Sequence, residues 1–329
     1  MLDHQGRKDH AFDENAQVYD ELARLAEVID ATQFVASAAI LYSDEIGWAW
    51  NHIVSTRLRA VLAKCDISMQ GRLLRWYLPL YRTKVSTDII DPLRDLSGYK
   101  VVFVPTLYLI NPEIVENLRH YVSHGGLLIV GPKAGLKNWD NVFFSDIPPC
   151  GGLSDLFGTT VKPAPFRLGR VEMPVKRVTC VQDAPFAPGM SFVNEGLFDN
   201  LEPTQANTIA RHEDGSIAIT LNSYGKGLAM YVGCQPEEGF YARLIEWLIT
   251  IGRLEPVLKT EADVEVTMRA GGGHKLIFVL NHNPEPVQIT LERAYHELIS
   301  EQTVSGVLVV DAQDVKILSV NEESLCSKS

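Results

Sequence analysis

Two short runs, Val101–Val104 (VVFV) and Leu127–Val130 (LLIV), most restrict what this chain can become. A strand that is wetted on one face alternates apolar and polar residues, whereas these two are apolar on both faces. They must lie between two layers, and amphipathic helical sequence surrounds each. Such strands belong to parallel sheets covered by helices on both sides, so the pattern predicts a doubly wound α/β domain of flavodoxin-like type.

The neighbouring sequence fits this scheme. VASAAILY at 35–42 reads as a first strand, the loop 43–47 leads to a helical stretch around 48–63, and a second helix is predicted over 70–82. That helix puts Leu73, Tyr77, Leu80 and Tyr81 on one face and turns Arg72, Arg75 and Arg82 to water. Residues 88–90 form a short strand; Asn111 caps a helix opened by Pro112 and closed by His124-Gly125-Gly126. Nearer the start, Val18, Leu22, Leu25, Ala26 and Ile29 keep helical spacing and predict a helix over 14–30, after a disordered tail at 1–12.

Beyond residue 148 strands dominate, with 217–221 and 227–232 as a hairpin around a turn at 222–225, then a strongly apolar helix at 240–251. The last stretch alternates strictly: Val264, Val266, Met268; Leu276, Phe278, Leu280; Val287, Ile289, Leu291. With turns at 271–273 and 281–284, it predicts a small antiparallel β-sandwich. The expected division is a tail and helix at 1–33, an α/β domain at 34–253 and a β-sandwich at 254–329.

Thirty Lys plus Arg against 41 Asp plus Glu give a net charge of -11, which repels phosphate backbones and anionic membranes, so no nucleic-acid or membrane partner is expected. The apolar runs fall far short of the ~20 residues of a membrane span. Cys65, Cys150, Cys180, Cys234 and Cys326 are scattered without a paired motif and read as free thiols in a reducing cytoplasm. No metal or cofactor is expected.

The runs VASAAILYSDEIGWAW, LLRWYLPLYR, STDIIDPLRDLSGYKVVFVPTLYLI and ENLRHYVSHGGLLIV, in this order and spacing, resemble the trimerisation domain of glycoside hydrolase family 42 β-galactosidases. VEVTMRAGGGHKLIFVLNHNPEPVQITL resembles the small C-terminal β-domain of the same enzymes, including the pattern from Phe278 to His282. The resemblance covers roughly residues 15–320. It implies a class I glutamine amidotransferase-like fold, a trimeric assembly and, elsewhere in such enzymes, a catalytic (β/α)₈ barrel. The 33 residues before Phe34 are too few for that barrel, which needs about 250.

Glycoside hydrolysis in such enzymes takes two carboxylates about 5.5 Å apart on barrel strand ends. Glu195 and Glu322, each after an Asn, read as solvated carboxylates instead. A nucleophile elbow should follow 127–131, where residues 132–135 read Pro-Lys-Ala-Gly without thiol or hydroxyl. Cys234 is expected to be structural, His120 and His124 to cap a helix end, and Gly271-Gly272-Gly273 to form a hairpin turn. No catalytic residue is therefore expected.

The remaining candidate is a ligand or interface crevice at the carboxyl ends of the strands, built by Asp44, Glu45, Trp48 and Tyr108 beside Trp50 and Thr106. The alternative is that the tryptophans cap the core and the carboxylates cap the following helix. The favoured function is a non-catalytic, homotrimeric accessory region of a β-galactosidase-like glycoside hydrolase in carbohydrate metabolism, with Trp76, Tyr77 or Trp139 as interface anchors. The rivals are a β-galactosidase subunit, or truncated form, whose barrel lies on another chain, and a carbohydrate-binding or sensing module.

Overall fold

The computed structural model describes residues 5–8, 10–53, 68–162, 176–181 and 186–320. Cys65, Cys326, Glu322 and the predicted continuation of a helix past residue 53 lie outside the described residues. The described helices are α1 (His10–Asp30), α2 (Asp44–Ile53), α3 (Met69–Arg82), α4 (Pro112–Ser123), α5 (Leu153–Phe157) and α6 (Glu238–Thr250). The chain divides into two compact units, one of residues 36–81 and 87–255 and the other of residues 1–35, 82–86 and 256–329.

The first unit is built on a large mixed sheet. Its five parallel strands are β1 (Ala38–Leu41), β2 (Thr87–Ile90), β3 (Val101–Val104), β4 (Leu127–Val130) and β5 (Gly227–Val232), in the order β2-β1-β3-β4-β5. From β5 the sheet continues antiparallel through 217–224, 207–212, 176–180, 191–198 and 234–236. The two-sided apolar runs have the expected consequence. Ala39, Leu41, Val102, Val104, Leu128 and Val130 join a core with Trp50 of α2, Leu118 of α4 and Phe157 of α5. The alternate residues Ala38, Ile40, Val101, Phe103, Leu127 and Ile129 are equally buried on the other face. There Trp76 of α3 lies 5.5 Å from the Phe103 ring and 4.9 Å from that of Tyr241 in α6.

Helix α3 corrects two expectations. Its buried stripe is Met69, Arg72, Trp76, Pro79 and Leu80, so Arg72 is interior, not turned to water. Trp76 sits in this core and is not available as an interface anchor. The physical reason is that the larger ring of Trp76 fills the space between α6 and the sheet, which sets the helix rotation and carries Arg72 inward one turn earlier.

Strand β1 is shorter than the predicted 35–42, because Gln33 and Phe34 pair with Ala270 and Arg269, and the Val35 N–H donates to Met268 O at 2.9 Å. Helix α1 starts earlier than predicted, at His10. The hairpin after residue 217 runs further than expected: pairing continues to Tyr224 opposite Gly227, leaving a two-residue turn at Gly225-Lys226. Asn222, expected in the turn, is instead buried in the strand and donates to Leu156 O at 2.9 Å. Helix α4 is as its caps imply, with Asn111 Oδ1 accepting the Ile114 N–H at 2.8 Å.

The second unit carries one continuous antiparallel sheet in the order 33–34, 265–271, 274–280, 315–319, 287–297, 302–310. A register shift between Leu291 and Tyr295 bends the 287–297 strand, and Val266, Val279, Ile289, Leu291, Leu308 and Leu318 share one core. The other face receives Leu25, Val28 and Ile29 of α1 against Leu276 and Ile317. Gly271 opposes His274, so Gly272-Gly273 is a two-residue hairpin turn; positive φ of 56° and 80° suits glycine there. Arg269 closes the end of α1, its Nη2 donating to Thr32 O at 2.6 Å.

Glu297 is the buried carboxylate of this sheet. Burial alone would raise its pKa, but hydrogen bonds from Ser300, Ile299 and Ile317 outweigh burial and hold it below its ordinary 4.5. A lowered folded-state pKa contributes stability above the carboxylate range and loses it as pH falls. Glu297→Gln should therefore cost about 1–3 kcal/mol at neutral pH in urea unfolding, with the gap to the parent protein closing as pH drops below about 4. A gap independent of pH would refute this role.

Candidate functional site at the carboxyl ends of the parallel strands

In a sheet of this order, the turns after β1 and β3 leave the sheet at the point where the winding reverses, the usual place for a ligand crevice. After β1, Tyr42 Oη donates to Asp44 Oδ1 at 2.9 Å and Ser43 Oγ donates to Glu45 Oε2 at 2.6 Å. The bond to Asp44 raises the Tyr42 pKa, and the Ser43 bond lowers that of Glu45. Both carboxylates stand in the first turn of α2, where the helix dipole favours negative charge.

Trp48, one turn on, is 68% exposed. Tyr108 is instead sealed in the core, edge-on to Trp50 at 5.5 Å, and burial pushes its pKa up to about 12. The structure thus brings Asp44 and Glu45 together at the helix start and pairs Tyr108 with Trp50. It leaves Trp48 facing water.

The crevice itself is occupied by Arg72, which is 3% exposed. Its Nη2 donates to Pro105 O, in the turn after β3, and to Pro132 O, in the turn after β4, at 3.2 Å. The guanidinium also lies 4.9 Å from the Trp50 ring. Gly131 is needed at this crossing: a Cβ there would lie 2.5 Å from Pro105 O. Sequence reasoning missed Arg72 because a helical arginine is ordinarily solvated. Its spacing from Met69 and Trp76, three and four residues, was the available signal.

The turn after β4 is tied down by a lysine. Lys133 is in the left-handed region, with φ of 70°. Its N–H donates to Asp199 Oδ2 at 2.7 Å and its Nζ to Asp199 Oδ1 at 2.6 Å and Phe198 O at 2.9 Å. Tyr231 Oη, on β5, donates to the same carboxylate at 2.9 Å and accepts the Ala134 N–H at 3.3 Å. The ammonium is thereby fixed as half of an ion pair with a buried acid, which suits it to tie the turn to the antiparallel strands. Sequence gave no warning of this network, whose bonded partners lie 32 to 97 residues apart.

The other candidate groups are likewise engaged. Asn194 and Glu195 lie in the 191–198 strand rather than in a solvated loop, a correction of the expectation. Asn194 is buried, and Glu195 pairs with Arg75 at 2.8 Å because that guanidinium reaches it from α3. Cys150, Cys180 and Cys234 are buried free thiols. Burial pushes Cys180 up to about 11, and Cys234 higher still with the help of Asp199 and Cys180. Among the described residues no three His, Cys, Asp or Glu side chains are grouped to hold a metal ion.

A mixed α/β sheet with its crevice filled by its own arginine, followed by an antiparallel sheet, defines a two-part scaffold. Residues 36–255 match the β-galactosidase trimerisation domain and residues 263–319 the β-galactosidase C-terminal domain. The chain belongs to the trimerisation-domain family of glycoside hydrolase family 42 β-galactosidases. It is similar to β-galactosidase BgaB of Geobacillus sp. (strain Y412MC61), 27% identical over 335 residues that span 96% of this chain and 46% of the relative. It is also similar to β-galactosidase GanA of Bacillus subtilis (strain 168), 26% identical over 331 residues that span 97% of this chain and 46% of that protein. A crystal structure of β-galactosidase from Bacillus circulans sp. alkalophilus aligns with a TM-score of 0.82 and 26% identity, covering 97% of this chain and 46% of that one. The chain thus spans about half the length of these relatives.

Two outcomes test the site's character. Asp199→Asn should cost about 2–4 kcal/mol in chemical unfolding, since it leaves Lys133 without its charge partner. Iodoacetamide at neutral pH should leave Cys234 unmodified in the native protein and label it fully after denaturation, as read by peptide mass mapping.

Proposed function

We propose that this chain forms a homotrimer and acts as the non-catalytic assembly region of a β-galactosidase-type glycoside hydrolase in carbohydrate metabolism. The match of residues 36–255 to the trimerisation domain carries this reading. An exposed apolar face supports it: Val142, Phe143 and Ile147 are 59%, 63% and 59% exposed beside a cleft of about 330 Å³ lined by Ile110, Val115, Trp139 and Phe144. Grouped apolar side chains of this kind mark association surfaces. Trp139 is the anchor we assign to it.

The parallel order β2-β1-β3-β4-β5 supports a doubly wound, flavodoxin-like fold of the glutamine amidotransferase-like kind over residues 34–253. The bent sheet supports a β-sandwich-like domain over 254–329 preceded by the 1–33 segment. In this reading Asp44 and Glu45 stabilise the start of α2, and Trp48 marks a further interface edge. Buried free thiols favour a reducing, cytoplasmic setting. Among the described residues no helix is long and apolar enough to cross a membrane.

Light scattering coupled to size exclusion should give three times the chain mass, and Phe143→Asp should shift it to the monomer without loss of secondary structure. A monomeric parent at micromolar concentration would overturn the trimer. The purified chain should release no chromophore from a nitrophenyl galactoside. Activity restored by adding a separately produced (β/α)₈ barrel would favour the split-enzyme reading.

A further inference from the structure

At the amino ends of β3 and β4, opposite the filled crevice, lies a cavity of about 270 Å³ lined by Ser97, Lys100, Asn117, His120, His124 and Arg253. Its charge contrasts with that of the chain. The protein carries 41 acidic against 30 basic residues. Here two permanent cations and two histidines meet a single lining carboxylate, Asp95. Among the described residues neither Lys100 nor Arg253 forms an ion pair. Arg253 is positioned at the rim through Nη1, which donates to Gly125 O at 3.2 Å.

Asp95 accepts the N–H and the Oγ of Ser97, both at 2.9 Å, and makes no ion pair with Lys100 or Arg253. Those bonds lower its pKa, with a smaller contribution from His120. The imidazoles of His120 and His124 stack with ring centroids 4.1 Å apart. His124 Nδ1 donates to His120 O at 2.8 Å. The two tyrosines that line the cavity stay neutral: burial raises both, Tyr99 to about 12 and Tyr121 further.

We propose that this cavity binds the phosphate group of a small phosphorylated molecule, with Lys100 and Arg253 as its fixed cations beside the stacked His120–His124 pair. The volume is at the small end for ligand sites, which suits a body the size of one sugar ring and not a nucleotide. The site shares no residue with the cleft around Trp139.

Titration calorimetry on the whole chain, at constant ionic strength in chloride, tests this with inorganic phosphate, glucose 6-phosphate, galactose and sulfate. Saturable one-to-one binding is expected for both phosphate probes and for sulfate, and none for galactose. Lys100→Ala, at an exposed position, should weaken phosphate binding about tenfold with an unchanged circular dichroism spectrum. Absence of saturable heat with phosphate, or equal phosphate binding in Lys100→Ala, would each overturn the proposal.

Discussion

Burying β3 and β4 on both faces pushes the turns at their carboxyl ends into the interior, where carbonyl oxygens have no water to accept from. Arg72 answers that constraint. One guanidinium group donates to both turns, through Pro105 O and Pro132 O, and its position fixes how α3 must rotate. That rotation places Trp76 between Phe103 and Tyr241, so the helix layer on this face is organised around a polar contact at its end. The absence of a side chain at Gly131 is part of the same arrangement.

The sheet has a second junction of this kind where its parallel half gives way to antiparallel strands. Asp199 gathers Lys133 from the turn after β4 and Tyr231 from β5 onto one buried carboxylate. A main-chain N–H, an ammonium and a phenol all donate to it, which holds Lys133 in a left-handed conformation that is otherwise unfavourable. The turn after β4 is thereby fastened to the antiparallel half of the sheet.

Much of the architecture was legible from residue patterns. Two-sided apolar runs identified β3 and β4, Asn111-Pro112 marked the start of α4, and strict alternation located the strands of the last sheet. What could not be read were rotations and long-range polar partners. Trp48 and Trp50 are two residues apart on a helix, about 200° around its axis, and nothing local says which faces Tyr108. Spacing alone puts Trp48 and Tyr108 in one crevice, whereas the ring that meets Tyr108 is that of Trp50. Arg72 reads as a surface residue until the carbonyls it serves are known, and those belong to turns 33 and 60 residues away. Asp199 lies in a stretch whose spacing carries no signal at all.

The filled crevice has a bearing on how such a scaffold could change. In doubly wound sheets the carboxyl ends of the strands are where new chemistry is commonly introduced by altering loops, because those loops face open solvent. With Arg72 lodged there, a changed loop would still be blocked, and removing the arginine would strand two carbonyls in a dry interior. Innovation at that end is therefore closed to single substitutions. Whatever small molecules this fold comes to recognise must be met at its loop rims or at the amino ends of its strands.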